Sequence, residues 1–366
     1  MNLDYSASIR LLVSLLLPLL AACTHIGPER IQASGNDYNI AIQQSSDEQM
    51  LLNLVRLRYR DTPMFLEVNS IASQFKLSNS ASLSASLKAG RIPDSGSLGA
   101  NIAYTEQPTV SYAPLHGDDF VQRLLSPVSI DTLLLLYNSG WSIERVLRLC
   151  VQRMNGIDNA ASASGPTPSQ APEFRRFMEL GGHLRSLQEN GLIDMGYSSY
   201  DQQRIAVVRI VPGAGTDADV QALLRMLRLP PGQEQYPLHP GSAAVAPADG
   251  GIVINTRSLL GILSFLSQTV AISPADEQAG RVTLTRNADG SRFDWGEVGK
   301  GLFRIRNSEQ EPPMASVRTY YRGHWFYIDD RDLDSKSTFT LLAQLFSLQS
   351  GKQKTVAPVL TLPIGQ

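Results

Sequence analysis

An α+β fold, with helices mixed among mostly antiparallel strands, is what this sequence predicts, on three observations. Helical and strand patterns follow one another without the regular alternation that builds a parallel α/β sheet. One long segment near the N-terminal third, 71–112, alternates apolar and polar residues with period two, as an amphipathic hairpin would. No internal repeat is present. The 366 residues, 43% hydrophobic and 18% charged, are enough to bury a sizeable core and too apolar for wholesale disorder. A formal net charge of -2, from 32 basic and 34 acidic side chains, carries no electrostatic footprint for nucleic acid. Two cysteines exclude a disulfide scaffold and a cysteine-ligated zinc module.

The chain opens on an apolar run, Leu11-Leu12-Val13-Ser14-Leu15-Leu16-Leu17, followed by Pro18-Leu19-Leu20-Ala21-Ala22. A spanning helix needs about 20 apolar residues. This run is shorter and ends in small residues, as a secretory signal does. Arg10 and the amino terminus make a thin basic flank, opposed by Asp4. Cys23 follows directly. Leu20-Ala21-Ala22-Cys23 resembles the lipobox of bacterial, Gram-negative outer-membrane lipoproteins. The resemblance implies that 1–22 is a signal peptide and that Cys23 becomes the lipidated first residue of a membrane-anchored chain. Thr24, where an inner-membrane retention signal has Asp, implies sorting to the outer membrane, facing the periplasm. The competing reading is an ordinary secretory signal with an incidental cysteine. Cys150, at an apolar position of a helical stretch, reads as an inert buried thiol.

Residues 23–45, polar and poorly periodic, with Gly27-Pro28 and Gly35-Asn36, read as a lipidated tether. A helix is expected from Ser46, which forms a capping-box pattern with Gln49 and is followed by Asp47 and Glu48. Met50, Leu51, Leu54, Val55 and Leu57 give it a buried face, and Pro63 stops it. Arg56, Arg58 and Arg60 crowd its last turns, either as favourable helix-end charges or as contacts to anionic lipid headgroups. The span 46–158 is expected to be a helical region carrying the hairpin. Its second helical stretch, 118–156, is broken at Pro127 and Gly140, with Asp118 and Ser142 as N-caps and Gly156 as a stop.

Residues 159–172, rich in Ala, Ser and Pro, read as a flexible linker before a C-terminal α+β domain, 173–366. There, helices are expected at 173–190, 217–229, 257–270 and 337–350. Strands are expected near 192–197 and 203–211, at 252–255 and at 359–362, and they are expected to dominate 281–328. Residues 230–251, rich in Pro and Gly, read as a loop.

In the 71–112 segment the odd positions Ile71, Phe75, Leu77, Leu83 and Leu87 are apolar and the even ones mostly Ser, Gln and Lys. After turn residues at 90–97, Leu98, Ile102, Tyr104, Val110 and Tyr112 form the apolar set of the return limb, interrupted by Glu106 and Pro108. A helix would place neighbours about 100° apart and smear this pattern. Each limb exceeds the 9–11 residues or so that a transmembrane β-strand needs. One hairpin alone leaves open edges, so a spanning role requires a barrel assembled from several subunits. Oligomeric lipoprotein pores of the curli-secretion type are similar in plan, with a lipid anchor, a periplasmic body and inserted hairpins, though none of their sequence motifs occurs here. The alternative is a soluble hairpin packed on the body or on a neighbouring subunit.

The densest aromatic stretch, Tyr320 to Tyr327, is expected to be a tight hairpin turning near Gly323, with Tyr320, Tyr321, Trp325 and Tyr327 as candidate partner-binding residues. The histidines lack metal-ligand spacing. No serine elbow, phosphate loop or dinucleotide fingerprint is present. Asp330, Asp332 and Asp334 imitate a calcium loop, but Ser335 and Leu341 stand where it needs Gly and Glu, so capping of the last helix by Asp334 or Ser335 is expected instead. The expectation is therefore a non-enzymatic outer-membrane lipoprotein without cofactor, a homo-oligomer or subunit of an envelope complex, or else a scaffold that holds a protein or glycan partner.

Overall fold

The computed structural model describes residues 26–85, 96–115, 117–200, 203–241, 247 and 250–350. The fold is α+β. It divides into two compact units, a body within Met1–Pro63 and Arg123–Gln349 and a hairpin unit within Met64–Gln122 and Ser350–Gln366.

Helix α1 runs from Ile26 to Arg58. It corrects the reading of 23–45 as a loose tether, because the helix continues N-terminally through the Ser46 capping pattern. Gln43 donates to Asp47 and Gln49 to Ser45, each one turn apart on the helix surface. Strands β1 (Leu66–Ala85) and β2 (Gly96–Pro114) form the hairpin, and α2 (Asp118–Leu125) follows. In the same unit Leu115 N donates to Phe65 O, and the Phe65 and Phe120 rings meet edge to face.

Back in the body, α3 (Ile130–Asn138) is capped by Ser129, whose hydroxyl accepts from Thr132 N, and α4 (Ile143–Cys150) begins after Ser142. The helix predicted to reach 156 ends at Cys150, because β3 (Val151–Met154) pairs with β4 (Ile157–Asp158). Asn155 (φ 42°) and Gly156 (φ 79°) turn this tight hairpin, so Gly156 serves a strand turn rather than a helix end. The Asn155 amide also bridges two other segments, accepting from Val253 N and donating to Leu227 O.

Helix α5 (Arg175–Glu189), strands β5 (Ile193–Tyr200) and β6 (Gln203–Ile210) and helix α6 (Ala218–Leu227) follow where the sequence predicts them. Strand β7 (Gln235–Pro240) lies inside the predicted loop and pairs with both β6 and β8 (Ile252–Thr256). The six strands lie in the order β4-β3-β8-β7-β6-β5, all neighbours antiparallel except β7 and β8. Ile143, Leu147, Leu184, Leu223 and Leu227 from α4, α5 and α6 meet Met154, Met195, Val208, Leu238 and Ile254 of the sheet to make the core.

Helix α7 (Leu259–Ser267), capped by Ser258, leads to the short helices α8 (Pro274–Gln278) and α9 (Trp295–Gly299). Residues 281–294, predicted as strand, are irregular, and Asp294 instead caps α9 at Gly296 N. Strands β9 (Arg306–Ser308), β10 (Ala315–Tyr321) and β11 (His324–Asp329) form a second sheet, ordered β10-β11-β9. Helix α10 (Leu333–Ser350) starts earlier than predicted. It is capped by Asp332, which accepts from Ser335 N, rather than by Asp334 or Ser335. The tail strand at 359–362 lies outside the described residues.

Residues 159–172 are folded into the body, which corrects the linker and the domain boundary placed there. Ala160 and Ala163 are fully buried, and Thr167 nearly so. Arg257 holds the first part of this segment. Fully buried, it donates to Ser164 Oγ and Asn159 O on this segment, and to Arg148 O, Leu149 O and Val151 O at the end of α4. A cation here satisfies carbonyls that a helix terminus leaves without partners.

Candidate functional site

Strands β1 and β2 form an antiparallel ribbon that no third strand joins among the described residues. Its register pairs Ile71 with Val110, Phe75 with Glu106, Leu77 with Tyr104, Asn79 with Ile102, and Leu83 with Leu98. Directly opposed residues share a face, so the apolar sets of both limbs fall on the same side of the ribbon. Ser70 with Ser111, Gln74 with Gln107, Lys76 with Thr105 and Ser80 with Asn101 make the other face polar. Leu87 lies outside the described residues, as does Cys23.

The register shifts once, between Val68 and Ser70, where Asn69 is the extra residue of a β-bulge. An inserted residue reverses the parity of the strand beyond it. Val68 and Leu66 therefore oppose Tyr112 and Pro114 on the apolar face, although their even numbers would otherwise assign them to the polar one. Both outer edges carry ladder groups with no neighbouring strand among the described residues, the arrangement that most readily accepts another strand.

The chain reaches this unit through Asp61, which the C-terminal aromatic hairpin clamps. Arg322 (φ 49°) and Gly323 (φ 86°) turn β10 into β11 as predicted. Tyr321 Oη donates to Asp61 Oδ2 at 2.7 Å, and Arg322 Nη2 donates to the same oxygen at 2.9 Å. Partial burial pushes the Asp61 carboxyl up, but these donors outweigh it and hold it below the usual carboxylate range. Tyr59 stacks edge to face on Tyr321 and Phe326, with centroids 6.1 and 6.2 Å away. Its hydroxyl donates to Asp276 Oδ2 at 2.6 Å, and burial followed by this carboxylate raises its pKa.

Of the four candidate partner-binding aromatics, Tyr321 is thus engaged within the fold. Tyr327 sits mid-sheet opposite Arg318 and Arg306. Tyr320 and Trp325 oppose each other with ring centroids 5.3 Å apart, and Tyr320 is 58% exposed.

Of the arginine cluster, Arg58 is buried, Arg56 half-buried and Arg60 exposed. Arg58 is 3% exposed and donates to Thr167 Oγ1 at 3.1 Å and Thr283 O at 3.2 Å, and Arg60 reaches Thr167 O at 3.4 Å. Arg58 is therefore no headgroup contact. Burial, then the like charge of Arg292, lowers its pKa to about 10.

Cys150 is fully buried, and burial pushes its thiol up to about 12, well away from a reactive thiolate. His183 Nδ1 and Ser186 Oγ both meet the Asp219 carboxylate, at 2.7 and 2.5 Å. Ser186 Oγ donates to the carboxylate and the His183 ring meets the carboxylate rather than the hydroxyl, so this cluster straps α5 to α6. Among the described residues no group of acidic, histidine or cysteine side chains could hold a metal ion, and no helix is long and apolar enough to cross a membrane.

Arg257 and Gln268 were not legible as structural or site residues, because their importance comes only from burial among distant segments. No protein-family model, no curated protein and no solved structure matches this chain.

Proposed function

We propose that this chain is an outer-membrane lipoprotein anchored through Cys23 and a non-enzymatic subunit of an oligomeric cell-envelope assembly, in which copies of the β1–β2 hairpin join into a barrel for export or secretion. The observation that carries this reading is the register, which merges two apolar sets on one face of an isolated ribbon and two polar sets on the other. Such a ribbon suits lipid outside and water inside.

Its length suits the same role. The 20 residues of β1, at roughly 3.3 Å each, reach about 66 Å. A tilted strand crosses the ~30 Å hydrocarbon core in about 9–11 residues. The remainder would project beyond the membrane. A single ribbon in lipid leaves both edges unsatisfied, and joining edge to edge with other subunits removes that cost. Met64 and Val121, 52% and 46% exposed in the same unit, add apolar surface for a neighbouring copy. The α-helix that begins shortly after Cys23 gives the anchor a stiff connection in place of a slack tether.

The exposed Tyr320–Trp325 pair favours a second reading, a periplasm-facing scaffold that holds a protein or envelope-glycan partner on this aromatic surface. The two readings separate on one deletion. Replacing residues 67–113 by a short Gly-Ser link leaves the body its own core, and the shortened protein is expected to migrate as a monomer in mild detergent. The intact chain is expected to give a large, heat-sensitive oligomer. An oligomer that survives the deletion would contradict the barrel and leave the scaffold.

A further inference from the structure

A cavity of about 730 Å³ lies in the body, among the C-terminal end of α1, residues 268–272 and 292–304, and the start of α10. That volume falls in the range of small-molecule sites, roughly 300–1,000 Å³. Arg58 and Gln268, 3% and 2% exposed, both line it.

Arg58 is a buried cation without a carboxylate partner among the described residues. Both of its hydrogen bonds leave from Nη1, to neutral oxygens, and Nε has no partner. A buried charge without a directly bonded counter-charge is costly, and the Glu277 carboxylate favours it only through space. Gln268 donates from Nε2 to Ser264 O and Ser267 Oγ, but Oε1 receives no donor. Two residues of the lining thus each carry an unpaired buried polar atom, a donor on Arg58 and an acceptor on Gln268. Arg292 and the exposed Lys300 and Arg304 add positive charge to the lining, and Asp294, Asp332 and Asp334 add carboxylates.

This mixture discriminates among ligand classes. A bare inorganic anion would answer Arg58, but Asp294 and Asp334 would repel it and Gln268 would stay unpaired. A neutral sugar would donate to Gln268 and the carboxylates and leave Arg58 without a counter-charge. We propose that the cavity binds a hydroxylated organic anion of sugar size, whose carboxylate or phosphate faces Arg58 with Lys300 and Arg304 and whose hydroxyls donate to Gln268.

The test is calorimetric titration of the full chain in detergent with glucuronate, glucose 6-phosphate, glucose and inorganic phosphate. One or both anionic sugars are expected to bind saturably at one site per chain, with glucose and inorganic phosphate at least ~10-fold weaker, the scale of a lost charge-assisted hydrogen bond. The tighter of the two anions identifies the group as carboxylate or phosphate. Arg58→Gln is expected to abolish binding. Because Arg58 also ties Thr167 and Thr283, the exposed pair Lys300→Ala with Arg304→Ala is the second variant, expected to weaken binding several-fold at an unchanged thermal midpoint. Absence of saturable binding by both anionic sugars, equal binding of glucose, or full affinity in the Lys300/Arg304 variant would overturn the proposal.

Discussion

Arg257→Leu is expected to destabilise the body by about 3–5 kcal/mol, the range for breaking a buried charged network. The guanidinium answers four carbonyls and one hydroxyl, and it lies over the Phe265 ring at 4.0 Å. Burial lowers its pKa to about 9, which still leaves it charged near neutral pH, as these acceptors require. Leucine fills part of the volume but leaves the carbonyls of Arg148, Leu149, Val151 and Asn159 buried with fewer donors, each worth ~1–3 kcal/mol when lost outright. Arg257→Lys should rescue little, since an ammonium cannot span the α4 end and Asn159 at once as the planar fork does. Urea unfolding followed by circular dichroism measures the effect. Because Arg257 anchors 159–164 to the end of α4, proteolysis of the variant should begin in that segment. A midpoint equal to wild type would show that the clamp contributes no stability.

The second large effect is expected at the anchor. If Cys23 is acylated as the lipobox resemblance implies, Cys23→Ser should remove all incorporation of radiolabelled palmitate. It should also leave the leader 1–22 attached or poorly processed. The energetics make the phenotype steep. Each buried methylene contributes roughly 0.8 kcal/mol, and one acyl chain holds a protein only marginally while two or three hold it firmly. Palmitate incorporation that persists in Cys23→Ser, or that never occurs in wild type, would contradict the lipoprotein assignment.

The parts of this fold that could be read in the sequence are those where a local pattern and the tertiary environment agree. The hairpin was legible because period two held over both limbs, and the register kept that parity down to Ser70. It failed only at the Asn69 bulge, where one residue reverses the faces and hides Leu66 and Val68. The β10–β11 turn was legible from Gly323 among aromatics. By contrast, β3 is four residues long and continues the apolar spacing of α4, so period alone could not separate strand from helix. Strand β7 contains two prolines, which favour a loop reading, yet it lies between β6 and β8.

The 159–172 segment has the composition of a linker, and bonds from distant residues, among them Arg257, Arg58, Thr285 and Arg286, pin it down. Such long-range donors leave no mark in local composition. The cavity was invisible for the same reason, since α1, the 268–304 region and the start of α10 are far apart in sequence. The N-terminal half of α1 has polar residues at most positions, and helix formation there left no apolar stripe to detect.

The central claim is that one face of the β1–β2 ribbon meets lipid and the other meets water. A cysteine scan of positions 71–85 in native membranes tests it most directly, on a background in which buried Cys150 is replaced by alanine. Each cysteine would carry a polarity-sensitive probe and be challenged with lipid-confined and aqueous quenchers. Lipid quenching at 71, 75, 77 and 83, with aqueous quenching at 72, 74, 76, 78 and 80, is the predicted result. Aqueous quenching at every position, or no lipid quenching at any, would contradict a membrane-inserted hairpin and with it the assembled barrel.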